Sequence, residues 1–292
     1  MPWQIIILLF VLISSNRAIQ VRRIGLLKKD VSLYALVVSF TCILIVGVFT
    51  ALMNWNKIEH TKAMDAWPYL LVGGLLFAIL NVIILKLYRY IPASIMTFTT
   101  LLNTLSVLFF ATMLGGETLT PKQIFGALIL FVSVLIVGLF AKSNQKTNKN
   151  VTIGLGVALF TALLFGPAIM NEKYLISRIG FNTYVLYGWG FQALTAYIVA
   201  FALKDRKKIK EKLSRRIHIN VWIVGVLLGM SGFAYVTSLS KSGSASTMAL
   251  SGTAVIGVTV FLAYFILNEK EHLRPKIAGL VLSAVGLSLL LS

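Results

Sequence analysis

The stretch from Arg89 to Gly126 occurs twice in this chain, and that repetition limits the fold more than any other feature. The first copy passes through Ala93, Ser94, a long apolar segment, Leu114, Gly115, Gly116, Glu117, Pro121 and Gly126. The second begins at Lys241 and passes through Ala245, Ser246, another apolar segment, Leu267, Asn268, Glu269, Pro275 and Gly279. Ala93 and Ser94 answer Ala245 and Ser246, and Glu117 answers Glu269, at an offset of 152; one residue inserted late makes Gly126 answer Gly279. Each copy reads as a membrane-length helix, a tight acidic turn and another helix. Self-similarity at a fixed spacing marks a chain built from repeats.

No soluble core could bury what remains. Hydrophobic residues make up 58% of the chain and charged residues 12%, with a mean hydropathy of +0.88, so the bilayer must act as solvent. A spanning segment in lipid has to satisfy its own backbone, which predicts an all-α integral membrane protein. Ten apolar runs are long enough to cross: 3–20, 31–53, 67–87, 92–114, 122–140, 151–176, 183–203, 221–240, 245–267 and 275–292. The triplet Arg23-Ile24-Gly25 matches Arg178-Ile179-Gly180 at an offset of 155, which sets Asn16 against Asn171 and Arg17 against Glu172. The chain therefore divides into a first five-helix repeat, 1–140, a polar basic linker, 141–150, and a second five-helix repeat, 151–292. Residues 204–220 could form a short amphipathic surface helix or a plain basic loop. Met1 to Ile13 lacks the basic start of a cleavable leader.

An odd number of spans per half makes the second half enter the membrane from the opposite side, giving two inverted repeats. The net charge of +18 would suggest nucleic acid in a soluble protein, but the basic residues here lie in short gaps between spans. When each basic residue just inside a span end is assigned to its nearest gap, 21 of the 27 Lys and Arg belong to the gaps after odd-numbered spans and 6 to those after even-numbered ones. By the positive-inside rule those gaps are cytoplasmic and both termini lie outside the cytoplasm. The compact chain with short gaps suits a bacterial inner membrane. The single Cys42 excludes an internal disulfide and is read as a packed, membrane-facing thiol.

Candidate functional residues follow from depth. Asn103 lies near the middle of the fourth span, with Thr99, Thr100 and Ser106 a turn away on the same side. Asn81 follows Gly74 and Ala78 on one face of the third, Ser231 and Tyr235 are a turn apart in the eighth, and Ser251 and Thr253 flank Gly252 in the ninth. Asn81, Thr99, Asn103, Ser231, Tyr235, Ser251 and Thr253 are thus the substrate-cavity candidates, with interhelical hydrogen bonding as the alternative role for the hydroxyls. Asn16, Arg17, Asn171 and Glu172 are gate or interface candidates, because counting along the helices puts Arg17 toward the cytoplasmic side of the membrane and Glu172 near the outer interface. Pro167 after Gly166 is a hinge candidate or a tolerated kink. Trp189 and Gln192 are assigned to packing.

The run Pro92-Ala93-Ser94, the span ending Leu114-Gly115-Gly116-Glu117, then Pro121 and Gly126, together with the five-plus-five layout, resembles the drug/metabolite transporter superfamily, specifically its ten-helix EamA-type members. The resemblance covers essentially the whole chain. It implies a secondary carrier of small metabolites or drugs, by import or efflux, with a central cavity lined by spans 1, 3, 4, 6, 8 and 9. Span 1 lacks the membrane-embedded glutamate that the small four-helix exporters of the superfamily carry in their first helix.

The expected partners are a small-molecule solute and the lipid bilayer, not nucleic acid, with a homodimer left open. No metal-ligand spacing or phosphate-binding glycine loop occurs, so neither metal nor cofactor is expected. Gly229-Met230-Ser231-Gly232 has the pattern of a rhomboid-type nucleophile. His60, His218 and His272 all fall between spans, however, and an intramembrane enzyme is not expected. A channel or a scaffold subunit is the alternative to the carrier.

Overall fold

The computed structural model describes residues 3–26, 31–116, 118–143, 149–203, 214–242, 245–269 and 273–291, and all regular structure among them is helical. The first half gives α1 (Trp3–Gly25), α2 (Ser32–Met53), the short α3 (His60–Asp65), α4 (Trp67–Tyr90), α5 (Ala93–Gly115) and α6 (Pro121–Ser143). The second gives α7 (Lys149–Ile179), α8 (Phe181–Ala202), α9 (Arg215–Ser242), α10 (Ala245–Ile266) and α11 (Leu273–Leu291). Among the described residues six helices, α1, α2, α4, α5, α8 and α9, are long and apolar enough to cross a membrane, and Pro121–Val137 and Ala254–Ile266 are shorter apolar stretches.

Prolines and left-handed residues punctuate these helices. Pro68 sits in the first turn of α4 and Pro121 opens α6, where a missing N–H costs nothing. α5 stops at Gly116, with φ +65°, and the turn after α10 holds Asn268 at φ +56°, the one non-glycine with positive φ among the described residues. Glycine and asparagine are the residues that take this conformation most readily, and the two positions are related by the offset of 152.

Several helices extend beyond the apolar runs that predict them. α1 continues to Gly25 and α7 to Ile179, while α9 starts at Arg215. The 31 residues of α7 span about 46 Å, well beyond a hydrocarbon thickness of about 30 Å. Arg215 to Asn220 belong to α9, where Ile217 is buried; residues 204–213 of the expected surface helix lie outside the described residues, as do residues 144–148 of the linker.

The packing is interleaved. α2 lies against α8 and α9, α4 against α7 and α8, α1 against α9 and α10, α5 against α7 and α10, and α6 against α11. Glycines permit the closest approaches, since a Cβ added at Gly74 would meet Phe191 O of α8 at 2.8 Å. Cys42 is buried, not membrane-facing: α9 presents Gly225 to it, leaving room for the sulfur between the two helices.

Pro167 does not interrupt α7, which runs unbroken through it. Proline offers no N–H to the carbonyl four residues back, which is Leu163 O. Ser106 of α5 donates its hydroxyl to that carbonyl at 3.4 Å, and Gly166 lets α5 come close enough to do so. Ser106→Ala is therefore expected to lower stability by about 1–2 kcal/mol. Pro167→Ala, which restores the N–H, should recover most of that loss in the double variant. Thermal unfolding of the four proteins in detergent tests this, and additive effects would disprove the coupling.

Candidate functional site

A cavity of about 290 Å³ opens between helices of both halves. Its wall comes mainly from α1, α4, α5, α7 and α9, with smaller contributions from α2, α8 and α10 and none from α6 or α11 among the described residues. The lining is largely apolar, with Phe10, Phe77 and Phe165 among its aromatic members. Into this surface the chain sets a few polar side chains, as expected of a small-molecule site.

Arg17 and Glu172 are two of them. Counting along the apolar runs puts both near span ends. Because α1 and α7 extend about two turns beyond them, to Gly25 and Ile179, both side chains stay within the bundle and face its interior. Arg17 Nη2 donates to Asn81 Oδ1 at 3.1 Å, and Asn81 Nδ2 donates to Phe77 O of its own helix at 2.9 Å. Glu172 is 4% exposed; the Tyr184 hydroxyl donates to its Oε1 at 2.7 Å, and Gln192 Nε2 donates to the Tyr184 oxygen at 3.1 Å.

Asn103 lines the cavity from α5, and its side-chain amide makes no hydrogen bond to any described residue. Its amide is therefore available to whatever occupies the space. Tyr235 lines the cavity from α9, its ring 5.5 Å from that of Phe10. Ser231 is also at the wall, but its hydroxyl donates to Leu228 O of its own helix at 3.1 Å. His60 and His218 each have Nδ1 engaged with a tyrosine hydroxyl, of Tyr187 and Tyr34. His272, like the side chains of Thr99, Ser251 and Thr253, lies outside the described residues.

Asn16 and Asn171 do not reach the cavity. Asn16 is exposed on the outer face of α1. Asn171 turns to α4, where it donates to Tyr69 O at 3.0 Å and packs over Gly73. Pro167 lies between the cavity-lining Phe165 and Ile169 without itself lining the space.

Trp189 and Gln192, assigned to packing from the sequence, are part of the wall, as are Tyr88, Thr104 and Thr161. A mid-helix glutamine was the signal for one of them. Nothing in the sequence marks the facing of the others.

A second polar cluster ties together the ends of α1, α4 and α10 and the start of α5. Glu269, just past α10, accepts from Ala93 N at 3.0 Å, from Ser94 N at 3.1 Å and from Ser94 Oγ at 2.6 Å. A carboxylate here satisfies the free N–H groups of a helix start and complements its dipole. Arg22 Nε stands 3.6 Å from Glu269 Oε1 and Arg22 Nη1 donates to Tyr88 O at 2.6 Å. The buried Lys276 donates to the Glu269 backbone carbonyl at 3.2 Å. The acid and its Ala-Ser partners come from opposite copies of the repeated stretch.

No protein-family model matches the chain, and no curated protein matches it. Solved structures do: 26 chains match. One of them, a crystal structure described only as that of a protein, superposes with a TM-score of 0.71 at 15% identity, over 98% of this chain and 95% of that one. At that identity the similarity concerns the fold alone.

Proposed function

We propose that this protein is a secondary transporter of ten spans that moves a small organic solute across a bacterial inner membrane by alternating access between two inverted five-helix repeats. The observation that carries this reading is the shared cavity: helices from both halves enclose it, and the unpartnered amide of Asn103 faces it. Packing supports the repeat. Exchanging α1 with α7, α2 with α8, α4 with α9, α5 with α10 and α6 with α11 turns the α1–α9 contact into α7–α4, α1–α10 into α7–α5 and α2–α9 into α8–α4, all of which occur. The contacts α2–α8, α5–α10 and α6–α11 map onto themselves. The matched left-handed residues Gly116 and Asn268 support it further. The resemblance to EamA-type drug/metabolite transporters fits the same arrangement.

In this reading the Glu269 cluster lies at the cytoplasmic end, where the basic gaps are. It seals the cavity there by tying the first half to the second, and rocking of the halves would have to break it. The scaffold alternative leaves the unpartnered polar groups of the cavity without a use.

Counterflow in proteoliposomes preloaded with a mixed metabolite extract, read by mass spectrometry, tests the proposal. Saturable, protein-dependent exchange of one compound class is expected; no exchange from demonstrably folded protein would refute it. Asn103→Ala should cut transport about tenfold, the scale of one lost hydrogen bond to solute, with melting unchanged. Wild-type kinetics in that variant would remove Asn103 from the site.

A further inference from the structure

Two side chains of opposite charge face the cavity from matching helices of the two halves, and neither has a charged partner. Arg17 on α1 and Glu172 on α7 are separated by 155 positions, the same offset that relates Gly25 to Gly180. Both line the cavity. Among the described residues, no carboxylate comes within 4.0 Å of Arg17 and no cation within 4.0 Å of Glu172. Neutral groups hold them instead: Asn81 on α4 accepts from Arg17, and Tyr184 on α8 donates to Glu172. The two side chains are thus fastened to different helices and do not pair with each other.

A guanidinium keeps its proton in a protein and offers five donors. Arg17 uses one on Asn81, and its Nε has no partner. An ion in so apolar a space is costly unless something of opposite charge joins it. A purely anionic ligand would satisfy Arg17 and be repelled by Glu172, and a purely cationic one would meet the reverse. A zwitterion satisfies both and leaves the net charge of the cavity unchanged. Resting on the carrier reading, we propose that the cavity binds a small zwitterionic organic solute, its anionic group on Arg17, its cationic group on Glu172 and its apolar body against Phe77 and Phe165.

The test uses purified full-length protein in nanodiscs and titration calorimetry with leucine, 4-aminobutyrate and 6-aminohexanoate, zwitterions of increasing charge separation. Each is compared with its carboxamide and its N-acetyl derivative. At least one parent compound is expected to bind, and both blocked forms to bind about ten- to a hundredfold more weakly, the scale of one charge-assisted hydrogen bond. Arg17→Gln should abolish the preference for free carboxylate over carboxamide while keeping the preference for free amine. Glu172→Gln should do the opposite, whereas a merely structural role would weaken every ligand alike. Should Arg17→Gln fail to fold, Arg17→Lys is expected to retain the carboxylate preference.

The assignment is overturned if none of the three zwitterions binds folded protein, or if blocked forms bind as well as their parents. Counterflow separates this failure from that of the carrier reading. Exchange of an uncharged or singly charged compound, unaffected by either glutamine variant, overturns the zwitterion site and leaves a carrier; no protein-dependent exchange at all counts against the carrier itself.

Discussion

Glu269→Ala is expected to lower the stability of the protein by about 3 kcal/mol. Removing one partner of a buried ion pair costs about 3–5 kcal/mol, and at 13% side-chain exposure of both Arg22 and Glu269 the lower end applies. The same substitution strips the N-terminus of α5 of its acceptor, leaving Ala93 N and Ser94 N without the bonds they make here. Glu269→Gln keeps an oxygen acceptor and loses the charge, so about half that effect is expected. Two readings check it: melting temperature in detergent, and labelling of a Val21→Cys reporter, in a Cys42→Ala background, by a membrane-impermeant thiol reagent. Val21 lines the cavity, so, with the cluster sealing the cavity as proposed, its loss should speed labelling several-fold. Unchanged melting together with unchanged labelling would show that the cluster seals nothing.

Gly47→Leu is expected to cost about 3 kcal/mol or more. Even a single Cβ at Gly47 would lie 2.5 Å from Val185 O and 3.2 Å from the Trp189 ring. A backbone oxygen cannot rotate away as a side chain can, so α2 and α8 must separate. Overpacking by one or two methylenes typically costs about 1–3 kcal/mol, and leucine adds four carbons. Gly190, in the same α8 helix, would meet nothing within 4 Å, and Gly190→Ala should change stability by no more than about 0.5 kcal/mol. Comparing the two melts isolates close helix approach from any general intolerance of glycine replacement. Equal losses would show that contact with α8 is not what requires glycine at 47.

The positions of the long helices were legible because apolar run length and the punctuation at Pro92, Gly116 and Pro121 act locally. The direction in which a helix faces was less so. Arg17 and Glu172 were placed toward span ends because counting residues gives depth, whereas their inward aim depends on which neighbours α1 and α7 meet. Cys42 was read as membrane-facing for the same reason; the space it fills is made by Gly225, 183 positions away. Asn103 was a candidate because a carboxamide at mid-span needs a partner from the protein or from a bound molecule, and the structure sets it on the cavity wall. Asn171 carries the same group, and its partner turned out to be a backbone carbonyl of α4. The Glu269 cluster shows another limit. Both of its ends were visible in the repeated stretch, but an offset along the chain does not reveal that the acid of one copy reaches the helix start of the other.

α6 and α11 stand apart from the cavity and pack on each other. Ser133 donates to Gly279 O at 2.9 Å and lies 2.8 Å from the Ser283 hydroxyl, while Gly286 sits directly over Gly126 O. The contact joins the two halves and maps onto itself when they are exchanged, so in the rocking proposed above it is equivalent in the inward- and outward-open conformers. Its free energy then contributes equally to both conformers and cancels from the equilibrium between them. The α6–α11 seam can therefore set how long the folded protein survives without influencing which way it faces.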